Sequence, residues 1–428
     1  MWKSTSDIEA KKGFRMKIVF ITSSFNGGGI TSYAHEVIDC FSEGNEMIVI
    51  VGDDSKAPLD RSRTNVVACD SSDISLENAR RLLRIINDDI CPDVIINSNS
   101  VLMTLISPFV KNDIRIITVS HSLCYQEADT AGFNSHYVDR VIALSTYNED
   151  YLRKQYNIKD EKKVRVIYNF VKELPEAARL REQKKSAAPL RIVFPGGTSA
   201  AKSPELVFKI LRRLLKTDYS FEFVFMGPNA PTLHRLQPFK SVKQLLKQDD
   251  RLKFTGRVSR EEAERIIGTA NILLVPSRRE GCPMAMLEGM RVGCIVLTSD
   301  YKNACREMIE DNRSGFVINH RDVASFTARI SDIIDCHEEY LSFYDECYAD
   351  FINKFNYIHW KEKMQELIYD NRSCHKIRYK YFSEKKYIRL RLRLQRRFKR
   401  DVIHKMFHET LLSALSFFGM YIKTWIRK

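Results

Sequence analysis

No Asp-x-Asp triplet, no Cys-x-x-Cys pair and no His/Cys cluster at zinc spacing occurs in the 428 residues. The chain therefore lacks a ready pair of divalent-cation ligands, a zinc-finger framework and a thioredoxin-like redox motif. Ten cysteines are scattered singly between Cys40 and Cys374 and read as reduced, mostly buried thiols of a cytosolic protein. Met1 to Arg15 is polar and has no apolar core of a secretory signal, so residues 1–15 are expected to be a disordered or non-native start, with Met16 opening the folded chain. No Gly-Lys-Ser/Thr follows any glycine-rich loop, which excludes a P-loop. No internal repeat is evident. The apolar run Leu411 to Ile422 falls short of the roughly 20 residues of a membrane-spanning helix.

With 44% hydrophobic and 29% charged residues, the composition is globular, and the length suits two or three domains, each able to bury a core. The net charge of +14 is unevenly placed: residues 371–428 hold 17 Lys and Arg against Glu384, Asp401 and Glu409, leaving 51 basic and 51 acidic residues in 1–370. A neutral body with one basic arm points to an anionic partner for that arm.

Apolar, β-branched runs alternate with helical stretches from Lys17 to Ile167, at 17–21, 46–51, 93–96, 114–119, 141–144 and 164–167. Such runs mark parallel strands covered on both faces. After a polar break at 172–189 the pattern restarts, with runs at 190–194, 221–226, 252–254, 271–275, 294–297 and 315–318. The reading is α/β, two Rossmann-like doubly wound domains in tandem at 16–171 and 190–355, joined by a linker at 172–189. Ligands of such sheets lie beyond the carboxyl ends of the strands, so two sheets facing one another would form a cleft.

Three strand-to-helix crossings carry candidate chemistry. The first, Pro276 to Met290, follows the strand ending at Val275. Glu280 and Gly281 fall on its loop, Cys282 and Met284 beside it, and Glu288 more than one turn into a helix whose first turn suits Pro283. A carboxylate is a good acceptor for vicinal ribose hydroxyls, and helix-start amides receive phosphate. The second, Phe194 to Pro204, carries Gly196, Gly197 and Lys202; the glycines permit a tight turn near phosphate, and the lysine brings a cation to a developing diphosphate leaving group. The third, Ser23 to Ser32, carries Gly28 and Gly29 and by itself is a weak signal. His121 follows the fourth strand-like run.

The two glutamates separated by seven residues, after a strand and Pro-Ser, resemble the signature of the group 1 glycosyltransferases, the large retaining family of GT-B fold. The resemblance spans about residues 16–370. It implies a nucleotide-sugar donor, with Glu288 on the ribose, Glu280 and His121 at the transferred sugar, Lys202 at the diphosphate, and Gly196, Gly197, Gly281, Cys282, Met284, Gly28 and Gly29 near the donor. The family often places an arginine where this chain has Gly197; Arg257, Arg278 and Arg279 are the candidates to replace it. Tyr168 to Val171 resembles the family's interdomain hinge, and 356–370 the helix that returns to the first domain. No metal or other cofactor is expected, the leaving-group charge being met by Lys202, arginines and helix termini, and retention by front-face attack is implied by the family alone. A nucleotide-sugar epimerase, a transferase on a soluble acceptor and a non-catalytic nucleotide-sugar-binding membrane adaptor stand as alternatives.

The arm at 371–428 mixes cations with aromatic and aliphatic residues. With Leu411 to Ile422 followed by Lys423, Trp425 and Arg427, it favours an anionic membrane interface over nucleic acid, with a plain solvated tail or a helical pair packing on the enzyme as the alternatives. Attachment at the inner face of the cell membrane, together with the resemblance, implies a lipid-linked glycan acceptor in bacterial surface polysaccharide biosynthesis.

Overall fold

The computed structural model describes residues 15–408 other than 24, 26–28, 53–58, 123–124, 197–199, 228–248, 301–303 and 371–377. The expected disordered start up to residue 14, Gly28, Gly197 and the apolar run Leu411 to Ile422 lie outside the described residues. The chain forms two units, the first made of residues up to Tyr168 together with Lys361–Arg400, the second of Asn169–Trp360.

The first unit holds a seven-stranded sheet of β1 (Lys17–Thr22), β2 (Glu46–Val51), β3 (Thr64–Ala68), β4 (Val94–Ser98), β5 (Arg115–Ser120), β6 (Arg140–Ala143) and β7 (Val164–Val166), in the order β3-β2-β1-β4-β5-β6-β7. Every pairing is parallel. β1, β2, β4 and β5 are buried along nearly their whole lengths, because helices on both faces leave no wet side for alternating residues. The half-exposed edge strand β3 is the one strand that the apolar runs did not announce. Strand order reverses between β1 and β4, and the chain leaves those two neighbours in opposite directions around the sheet. In such sheets ligands bind past the carboxyl ends of the strands at this reversal.

The first unit is completed from the far end of the sequence. Arg378 is buried, and its guanidinium donates to the carbonyls of Tyr137 (2.8 Å), Lys111 (2.7 Å) and Ile114 (2.7 Å) and to the Asp139 carboxylate (3.2 Å). The helix Glu384–His408 then lays Tyr387 and Leu394 into the core, with Leu390 and Phe398 packed beside them. Tyr387 donates its hydroxyl to the Ile74 carbonyl (3.0 Å), and Arg397 reaches the buried Asp129 (2.8 Å). The single basic arm expected at 371–428 is corrected here: 378–398 belong to the core of the first unit, because their apolar residues recur every three or four positions and so share a helix face.

The second unit holds β8 (Leu190–Phe194), β9 (Phe221–Met226), β10 (Leu252–Gly256), β11 (Ile272–Val275), β12 (Ile295–Ser299) and β13 (Gly315–Ile318), ordered β10-β9-β8-β11-β12-β13 and parallel throughout. All six coincide with apolar runs of the sequence. Phe194, Phe208, Phe223, Phe225 and Phe254 form an aromatic stack within the core, with ring centroids 4.8 to 5.9 Å apart. Such rings add packing energy beyond their buried area. Within the expected linker, Ala177–Lys185 is a helix fastened to this unit, the buried Lys184 ammonium donating to the Val292 carbonyl at 2.6 Å. Phe170 stacks on Trp360 at 4.0 Å. Strand order reverses between β8 and β11, whose register pairs Ile272 with Ile192 and Leu273 with Val193.

Candidate functional site

Lys202 follows β8 and Glu280 follows β11, the two strands at the reversal point of the second sheet, so topology alone delivers these loops to one place. There the Lys202 ammonium donates to Glu280 Oε1 at 2.5 Å. Glu280 is buried, whereas the Lys202 side chain keeps 36% of its surface. The backbone ties the loops as well, the Arg278 amide donating to the Ala201 carbonyl at 2.7 Å. The Arg278 guanidinium donates to Glu205 Oε1 at 2.6 Å, in the first turn of the helix Pro204–Leu214.

Ser203 caps that helix in the left-handed region at φ +55°, a conformation that costs energy for any residue with a Cβ and that persists only where surroundings hold it. Its hydroxyl lies 2.9 Å from His320 Nε2, with the serine wholly buried. Desolvation first, then the charges of Arg278, Arg321 and Lys209, push the His320 pKa down to about 4, so the ring is neutral near pH 7. Pro204 occupies the first turn, where its missing N–H leaves nothing unsatisfied. Gly196 rests on the Phe194 ring; a Cβ there would come within 2.2 Å of it.

Beyond Glu280 the loop passes Gly281 and Cys282, both buried, and enters the helix Met284–Met290 with Pro283 at its N-cap. The helix thus begins one residue later than the sequence suggests. The Cys282 carbonyl accepts from Asn169 Nδ2 at 2.7 Å, which fixes the strand-to-helix turn. Burial pushes the Cys282 thiol up and keeps it protonated, an inert filler. Glu288 stands four residues after Met284, one turn on along the same side of the helix. Burial raises its pKa, opposed by Arg291 and reinforced by Glu264. A carboxylate that has lost part of its water gains most from a hydroxyl donor.

Of the predicted residues, Lys202 and Glu280 meet; Gly281, Cys282, Met284 and Glu288 follow Glu280 on the same loop and helix, and Gly196 lies on the same loop as Lys202. Arg257 is exposed just past β10, ahead of the helix Arg260–Gly268, whose Arg260 and Glu264 act on the charge of Glu288. Ser203, Glu205, His320 and Asn169 are residues of the site that sequence reading missed. Ser203-Pro204 was legible as a helix start, but nothing local marks His320 or Asn169.

In the first unit His121 follows β5, and its Nε2 lies 2.8 Å from the hydroxyl of Ser98 at the end of β4. The ring meets the edge of Tyr33 at 5.0 Å. Desolvation holds its pKa down to about 4, so a neutral imidazole stands at the carboxyl end of the sheet. Gly29 opens the helix Gly29–Ser42 that carries Tyr33.

Residues 177–349 match the family "Glycosyl transferases group 1", and residues 27–173 match "Glycosyltransferase Family 4". The chain is 26% identical over 167 residues to an amylovoran biosynthesis glycosyltransferase, AmsK, of Erwinia amylovora, covering 36% of this chain and 38% of that protein. It is 24% identical over 158 residues to a Salmonella typhimurium protein provisionally named a colanic acid biosynthesis glycosyltransferase, WcaL, again with 36% and 38% covered. These alignments span less than half the length of either relative. Among solved structures, Anabaena Alr3699/HepE in complex with UDP-glucose superposes with a TM-score of 0.66 at 16% identity, over 83% of this chain and 99% of that one. The fold is GT-B. The two glycosyltransferase family models together match residues of both units.

Proposed function

We propose that this chain moves a sugar from a nucleotide diphosphate sugar to a hydroxyl of a lipid-linked glycan acceptor, with retention, in bacterial surface polysaccharide biosynthesis. One observation carries the reading: the Lys202–Glu280 pair, brought together at the reversal point of the second sheet. Lys202 keeps about a third of its side chain in water, so its ammonium can turn from Glu280 to a doubly charged diphosphate. Its cation then offsets charge as the bond from sugar C1 to the diphosphate oxygen breaks. Released from Lys202, Glu280 accepts from hydroxyls of the transferred sugar, and Glu288 accepts from the ribose. Arg278, tied by its backbone to the Lys202 turn, supplies the second cation in place of the arginine that Gly197 lacks. Acceptor oxygen bonds to C1 on the face the diphosphate leaves, and its proton passes to the departing diphosphate oxygen.

The named relatives are described as glycosyltransferases of colanic acid and amylovoran biosynthesis, and HepE is described with UDP-glucose; both support the substrate class and the choice of UDP-sugars as first probes. Among the described residues no helix is long and apolar enough to cross a membrane, and the reading places the enzyme at the inner membrane face as a peripheral protein. The test is turnover of a UDP-sugar panel with a polyprenyl-diphosphate-linked acceptor in the presence of EDTA, with the anomeric configuration of the product read by NMR. The expected result is an α-linked product from an α-linked donor, undiminished by chelation, and a loss of about a hundredfold or more in kcat for Glu280→Gln. Donor consumption without any glycoside formed, or an unchanged rate in Glu280→Gln, would overturn the assignment.

A further inference from the structure

The helix Glu384–His408 has two opposite faces. Toward the first unit it turns Tyr387, Leu390, Leu394 and Phe398. Arg391 and Arg397, on the flanks of that face, are engaged with the Ile74 carbonyl and the Asp129 carboxylate. At 100° per residue the opposite side carries Lys385, Ile388, Arg389, Leu392, Arg393 and Arg396, every one of them exposed. Ile388 and Leu392 remain 36% and 44% accessible, among the few large hydrophobic side chains left in solvent. The only acidic residue from 384 to 398 is Glu384, which pairs with Arg80. The outer stripe therefore has no carboxylate of its own and places two aliphatic side chains between four cations, over roughly 16 Å of helix.

We propose that this outer stripe lies flat on an anionic lipid surface and fixes the first unit there. The inference rests on the peripheral attachment proposed above and is independent of the donor assignment. Ile388 and Leu392 enter below the phosphate level while the long cationic side chains reach back to the headgroups, a division that Lys and Arg stems permit. The remaining sequence continues the same chemistry, Leu411 to Ile422 being apolar and bordered by Lys423, Trp425 and Arg427. Nucleic acid would use the cations but would gain nothing from the aliphatic pair, and the stripe has no aromatic ring on which a base could stack. Because Arg378 and Arg397 anchor the segment to buried carboxylates of the first unit, attachment of the stripe orients a folded body, not a tethered one.

The experiment is flotation of the full chain with phosphatidylcholine vesicles with and without phosphatidylglycerol, beside Lys385→Gln/Arg389→Gln/Arg393→Gln/Arg396→Gln and Ile388→Ser/Leu392→Ser variants and a chain ending at His408. Each cation near anionic lipid strengthens binding by roughly fivefold, so the quadruple variant should lose at least about tenfold in partitioning. The aliphatic variant should lose binding that salt does not restore, and both should keep the thermal shift given by a UDP-sugar. Wild-type partitioning of both face variants, with loss only on ending the chain at His408, would overturn the stripe while leaving peripheral attachment intact. No flotation of any form would overturn both and leave the donor reading untouched. Binding of single-stranded RNA that is abolished in the quadruple variant, without vesicle binding, would make the stripe a nucleic-acid surface and overturn the proposal.

Discussion

Glu280 and Lys202 are 78 positions apart and meet because their strands are neighbours. The imidazoles of His121 and His320 show how the same folding sets a charge state: each is stripped of water, and each pKa falls to about 4 from 6.5. Between those values the unfolded chain binds more protons than the folded one, so stability is lost as pH falls from about 6.5 toward 4. The expected result is an unfolding midpoint that drops between pH 7 and pH 4.5. The drop should be smaller in the His121→Gln/His320→Gln variant, which removes up to roughly 3 kcal/mol of pH-dependent loss per ring; an unchanged slope would mean that neither ring is neutral in the folded protein. Glu288 runs the other way, since its raised pKa favours the neutral form on folding and any stability it adds is lost as pH rises.

The segment 378–398 shows what one element can hide. Its alternating Arg and Leu residues read as a polybasic arm, yet helical geometry separates them, sending Tyr387 and Leu394 inward and most of the cations outward. Arg378 is the anchor. Its side chain is 1% exposed against 2% for Asp139, and Asp139 also accepts from the Ile116 amide at 2.8 Å, holding β5 to β6. Replacing Arg378 with Met should destabilise the first unit by about 3–5 kcal/mol, because buried Asp139 would lose its directly hydrogen-bonded cation and three carbonyls would lose their donor. Chemical denaturation would read this as a loss in the transition assigned to the first unit, and a change under about 1 kcal/mol would show that the anchor is not structural. Arg378→Met/Asp139→Asn should recover part of the loss.

The second unit contains the whole of the Lys202, Glu280 and Glu288 constellation, so donor binding should register there first. Hydrogen exchange with a tight UDP-sugar is expected to slow most in 200–205 and 277–290, with little change at β2 and β3 of the first unit. Protection spread evenly over the chain would mean global stabilisation by binding at some other place.

How much of this was legible in the chain depends on whether the signal is local. Twelve of the thirteen strands stand out as apolar runs, since parallel strands with both faces covered need continuous apolar sequence. The exception, Thr64–Ala68, is an edge strand with half of its surface wet. Glu280, Glu288 and Lys202 were readable because each sits at a fixed offset from a strand end. His320, which reaches Ser203 from 117 residues away, and Asn169, which holds the Cys282 carbonyl across 113, left no local mark. Sequence alone determined the two parallel-sheet units and the loops that carry the chemistry, because hydrophobic period and turn residues act over a few positions. Tertiary structure alone decided which cation meets which carboxylate, and that the basic segment is half core and half surface. Those outcomes follow from strand order and helix facing, which bring together residues that the chain keeps far apart.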